Sequence, residues 1–67
     1  MAITLKAARI NKQMKQKDAA QALGVSIDTL SNWENGKTFP DVPHIKKIEE
    51  LYGVFYRDII FCPENSV

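Results

Sequence analysis

Ala19, Ala20 and Leu23, followed at once by Gly24, constrain this chain more than any other feature. Spaced i, i+1 and i+4, the three apolar residues form one face of a helix. Two of them are as small as a buried side chain can be, so a second element can cross that face closely. Gly24 supplies the positive φ that ends a helix in a sharp turn. Beyond it, Ser26 is a good N-cap, and Leu30 and Trp33, spaced i, i+3, give the next segment an inward stripe. Two short helices, over 16–23 and 27–35, are therefore expected to cross at a tight glycine bend. Leu30 and Trp33 then anchor the second, and Ser26, Ile27, Asp28, Ser31 and Asn32 lie on its outward side.

The flanking segments also have helical character. Thr4 is a candidate N-cap for a helix over 5–13, with Leu5 and Ala8 on its inner stripe. Asp41 caps a further helix over 42–52, with Pro43 tolerated in the first turn. In that helix Ile45, Ile48, Leu51 and Tyr52 form the stripe and Gly53 is the stop. Val54 to Phe61 is expected to add a fifth short helix over 55–61, burying Ile59 and Phe55, before a polar tail at 62–67. No stretch alternates apolar and polar residues, so strands are not required. The expectation is an all-α, compact five-helix bundle forming one domain over residues 1–67.

Composition removes whole classes of function. The chain has 67 residues, 45% apolar and 25% charged, an ordinary globular balance. The longest apolar run, Ile59 to Cys62, is far short of the roughly 20 residues of a membrane span. Lys6 and Arg9 interrupt the N-terminus before any signal-peptide core forms. One cysteine, Cys62, excludes an internal disulfide and a multi-cysteine zinc site. His44 stands alone, a solvent-exposed histidine rather than a metal ligand. There is no glycine-rich phosphate loop, no nucleophile and base constellation and no carboxylate pair around a cleft. An enzyme is not expected, nor a cofactor, a metal or a small-molecule substrate.

Net charge is only +1, but its distribution is uneven. Residues 1–17 carry Lys6, Arg9, Lys12, Lys15 and Lys17 and no acid, a local basic footprint on a near-neutral chain.

The segment Gln16 to Gly36, QKDAAQALGVSIDTLSNWENG, resembles the helix-turn-helix of the Cro/C1-type family, the lambdoid phage repressor and Cro domains. Lys37-Thr38-Phe39-Pro40 and the Ile45/Ile48/Leu51 helix extend the likeness over about Leu5 to Ile60. The resemblance implies a DNA-binding domain whose third helix enters the major groove. It puts Ser26, Ile27, Asp28, Ser31 and Asn32 at base-reading positions. Lys15, Gln16, Lys17, Lys37 and Thr38 fall at sugar-phosphate positions. It pairs Arg9 with Glu34 in a structural ion pair that links the first helix to the third. Chemically, Asn can pair with adenine, an isoleucine can cover a thymine methyl, and an aspartate can accept from cytosine. Phe55, Tyr56, Ile60 and Phe61 exceed what one short helix can bury, and in the resembled family subunits meet in this region.

Two functions follow as expectations. The first is a small Cro-like repressor in the cytoplasm of a bacterium or phage-infected cell, binding a palindromic operator as a weak homodimer. The second is a modulator or antirepressor that binds a companion repressor protein and alters its DNA occupancy. The low net charge, Ile27-Asp28 and the apolar C-terminal segment motivate the second.

Overall fold

The structure, a computed structural model, describes residues 2–61. Cys62 and the tail over 62–67 lie outside them. In chain order the elements are β1 (Ile3–Thr4), α1 (Leu5–Asn11), α2 (Gln16–Leu23), α3 (Ile27–Glu34), α4 (Val42–Tyr52), a single 3-10 turn (Tyr56–Asp58) and β2 (Ile59–Ile60).

Local chemistry accounts for most helix ends. The Thr4 hydroxyl accepts from Ala7 N at 3.1 Å, the Ser26 hydroxyl from Thr29 N at 3.1 Å, and the Asp41 carboxylate from His44 N at 3.1 Å. Each satisfies a first-turn N–H that has no partner within its own helix. α2 differs: Lys15 precedes it in extended conformation with no side-chain cap. Gly24 and Gly53 close α2 and α4 at φ +76° and +68°, and the Val25 N–H reaches back to Ala20 O at 3.0 Å.

The core is one cluster of Leu5, Ala8, Ala19, Ala20, Leu23, Leu30, Trp33, Ile48, Tyr52 and Ile59. Every helix contributes, so no helix here is stable alone; each is shorter than the roughly 12–15 residues an isolated helix needs. Ala19 and Ala20 are fully buried, and α2 packs on both α3 and α4.

Two expectations fail at the ends. The first helix stops at Asn11, because Gln13 turns left-handed at φ +58° and both Lys12 N and Met14 N bond to Arg9 O. The fifth helix over 55–61 is absent, so the bundle has four helices. Phe55 is extended, Tyr56–Asp58 make one 3-10 turn, and Ile59–Ile60 run parallel to Ile3–Thr4 in the register Ile3 to Ile59 and Thr4 to Ile60. The physical cause is local and tertiary together. The Tyr56 N–H donates to the Glu49 carboxylate at 2.8 Å, and the adjacent β-branched pair prefers a strand once β1 offers backbone partners. Ile59 is buried as expected, but Phe55 is 62% exposed, with the Arg57 guanidinium 5.1 Å over its ring.

Candidate nucleic-acid interface

α3 begins at the bend and carries two rows of outward side chains. Ile27 and Ser31 form one, and Asp28 and Asn32 the other, each at i, i+4. Ile27 is 45% exposed and Asp28 is exposed, while Ser31 and Asn32 are half-buried. Leu30 and Trp33 hold the opposite side in the core. Ser26 is exposed, but its hydroxyl is engaged twice: it accepts from Thr29 N and lies 3.0 Å from the Thr29 hydroxyl as donor. The Ser31 hydroxyl accepts from Asn35 Nδ2 at 3.3 Å.

Two hydrogen-bonded links bring the sugar-phosphate candidates to α3. The Asn32 carbonyl accepts from Lys37 N at 2.9 Å and Thr38 N at 3.4 Å, which pins the loop after Gly36 to the helix. Gly36 makes that return possible at φ +77°. At the other end, Gln16 Nε2 donates to Glu34 Oε1 at 3.1 Å, so the first residue of α2 touches the last residue of α3. Lys15, Lys17, Lys37 and Thr38 are exposed and Gln16 is half-buried.

Glu34 is the hub of this arrangement. Arg9 Nε donates to its Oε2 at 2.8 Å and Arg9 Nη2 to its Oε1 at 3.3 Å, while Arg9 Nη1 donates to Met14 O at 2.9 Å. The hydrogen bond to Glu34 raises the Arg9 pKa above its ordinary value, against the lowering by burial. Tyr52 lies close enough to be affected: burial, then the Glu34 charge, push its phenol up to about 12, with Arg9 opposing. Its hydroxyl is buried and has no hydrogen-bond partner among the described residues.

The basic footprint of residues 1–17 is therefore partly consumed inside the molecule. Arg9 is neutralised by Glu34, and the Lys12 ammonium lies beside Gly53, at the carboxyl end of α4, where a cation complements the helix dipole. Lys6, Lys12, Lys15 and Lys17 are all exposed, so only Arg9 is withdrawn from the surface. Lys47 lies similarly beside Gly24 at the end of α2.

The apolar candidates lie around the end of the described chain. Phe55, Tyr56 and Ile60 are 62%, 51% and 44% exposed. Phe61 is half-buried, 6.1 Å from the Tyr56 ring. Sequence reasoning gave no role to Phe39, which is 63% exposed and meets Phe61 edge to face at 5.8 Å. No periodicity could have linked it to a segment more than twenty residues on. His44 is half-buried rather than freely exposed, bonded through Nδ1 to Asp41 and packed 5.4 Å from the Trp33 ring.

Among the described residues no cluster of His, Cys, Asp or Glu can hold a metal, and no helix is long and apolar enough to cross a membrane. An open cleft of about 340 Å³ lies beside Glu49, Glu50, Gly53, Val54 and Phe55.

Neither the curated proteins nor the solved structures include a match to this chain. Residues 5–54, from the start of α1 to just beyond α4, match the helix-turn-helix family. With α2, the glycine bend and α3 in that span, the chain belongs to the Cro/C1-type helix-turn-helix family of DNA-binding transcription regulators.

Proposed function

We propose that the chain is a sequence-specific repressor of the Cro kind, of phage or bacterial origin, acting on a two-fold operator. The observation that carries this reading is the outer edge of α3. Ile27, Asp28 and Asn32 have no side-chain hydrogen bond or ion pair among the described residues, on a helix whose other side is locked into the core.

In this reading α3 lies in the major groove and presents those residues to base edges. The first N–H groups of α2, which no side chain caps, face a phosphate, and Lys15 and Lys17 add positive charge beside them. Gln16 approaches the same phosphate, oriented by Glu34. Lys37 and Thr38 meet the backbone on the other side of α3. Two copies associate weakly through Phe55, Tyr56, Ile60 and Phe61, joined by Phe39, and read half-sites about one helical turn apart, roughly 34–36 Å.

The test is a binding isotherm on duplexes selected from a random pool, repeated at rising salt. Replacing condensed counterions on several phosphates predicts a fall of orders of magnitude between about 50 and 200 mM. Affinity indifferent to salt counts against the reading. The exposed aromatic group favours one further reading, in which that surface holds a companion repressor rather than a second copy. A mixed complex that forms with the companion and not with operator duplex supports it.

A further inference from the structure

We infer that Asp28 sets operator specificity by exclusion, so that the half-site presents a cytosine amino group to Asp28, a thymine methyl to Ile27 and an adenine edge to Asn32. This rests on the proposal that α3 enters the major groove.

The hydrogen bonds decide which side chains are free to read. The Ser26 hydroxyl gives its proton to Thr29 Oγ1 and accepts from Thr29 N, so its role is to hold the first turn of α3. Ser31 already accepts from Asn35. Three outward side chains of α3 remain uncommitted: Ile27, Asp28 and Asn32. Each offers a different chemistry. Ile27 has no polar atom and is 45% exposed, so its favourable contact in the groove is the thymine methyl. Asn32 offers a donor and an acceptor side by side, which match adenine N6 and N7.

Asp28 is the decisive residue because it can only accept. Guanine turns N7 and O6 toward the major groove and thymine turns O4, all of them acceptors that repel a carboxylate. Adenine offers N6–H but sets N7 beside it. Cytosine offers N4–H and no acceptor on that edge. Asp28 is exposed and forms no salt bridge among the described residues, so its carboxylate is free to face the groove. That charge also opposes every nearby phosphate, which lowers affinity for any duplex. Only the cytosine contact offsets this loss, and a wrong base adds a second repulsion. Specificity thus comes from rejection as much as from attraction.

The experiment is selection from random duplexes with the full chain and with Asp28→Asn, Asp28→Glu, Ile27→Ala and Ser26→Ala, each checked for folding by thermal melting. The wild type is expected to select cytosine at one position by roughly tenfold to a hundredfold. Asp28→Asn should lose that preference while binding unselected duplex more tightly, a pairing of effects that damage to the fold would not produce. Asp28→Glu, which keeps the acceptor, should retain rejection of guanine. Ile27→Ala should lose the neighbouring thymine alone, and Ser26→Ala should lower the melting temperature through the lost cap. An Asp28→Asn motif identical to wild type overturns the inference and leaves the DNA-binding proposal standing. Failure of the wild type to bind any duplex overturns both.

Discussion

Arg9 and Glu34 are joined by two hydrogen bonds across 25 positions of sequence, with side-chain exposures of 11% and 3%. The pair ties α1 to the end of α3, and Gln16 adds the start of α2 to the same carboxylate. Glu34→Ala leaves the Arg9 cation buried without a counter-charge, which typically costs 3–5 kcal/mol. Replacing both by Met and Leu should cost markedly less. Urea unfolding of Arg9→Met, Glu34→Leu and the variant that carries both measures the coupling. Single variants that stay within about 0.5 kcal/mol of wild type would show that the pair contributes nothing.

Lys15 sits where the other three helices carry a capping oxygen. Lys15→Ser should stabilise the protein by about 1 kcal/mol through a new N-cap. The same change removes a cation and occupies N–H groups proposed to meet a phosphate. Operator affinity should therefore fall, and the slope of log K against log salt should become shallower by about one. Gains in both stability and affinity would contradict the proposed phosphate contact.

The buried Tyr52 hydroxyl makes an alkaline signature. Its pKa is raised from 10.0 to about 12 on folding, so the folded state holds its proton where the unfolded state has lost it. The associated stability is present below about pH 10 and is lost as pH rises through about 12. Tyr52→Phe should flatten the stability profile above about pH 10. At neutral pH it should leave stability unchanged or raise it, because the buried hydroxyl has no partner to lose. A steep alkaline decline that persists in Tyr52→Phe would assign the effect elsewhere.

Asp41 gives the opposite limb. The hydrogen bonds from His44 hold its carboxyl below the usual value of 3.8. The stability this cap confers is complete above the ordinary carboxylate range and disappears as pH falls through the lowered folded value. Thermal unfolding from about pH 5 to about pH 2 should show an acid limb that is shallower in Asp41→Asn, which keeps a capping oxygen without the titration.

Phe55 is 62% exposed, so Phe55→Ser should leave the melting temperature nearly unchanged. If the aromatic surface joins two copies, the same substitution should raise the dimer dissociation constant in sedimentation experiments and reduce cooperative operator binding. Unchanged self-association would move the subunit contact to another face.

Legibility in the sequence followed the range of the interactions. α2, α3 and α4 could be bounded to within about a residue because their signals are local: Ser26 and Asp41 as caps, Gly24 and Gly53 as left-handed stops, Leu30 and Trp33 one turn apart. Gln13 could not be read, since glutamine is not a residue that announces a left-handed stop. The β1 and β2 pairing was invisible for a different reason. Two-residue strands are too short for any periodicity, and their partner is at the far end of the chain. The outward row of α3 followed from helical spacing. The Ser26 cap onto Thr29 N was legible too, while the second bond, from the Ser26 hydroxyl to Thr29 Oγ1, was not, because no local signature announces it.

Parallel pairing of Ile3–Thr4 with Ile59–Ile60 makes the entire helical body the crossover between two strands. Tension drawn outward through Ile3 and Ile60 acts along the two strands in opposite directions. It therefore loads their hydrogen bonds together, in shear, rather than peeling them one after another. This small ribbon is the mechanical clasp of the molecule: it takes a stretching load before the helices do, and its rupture frees α1 at its capped end.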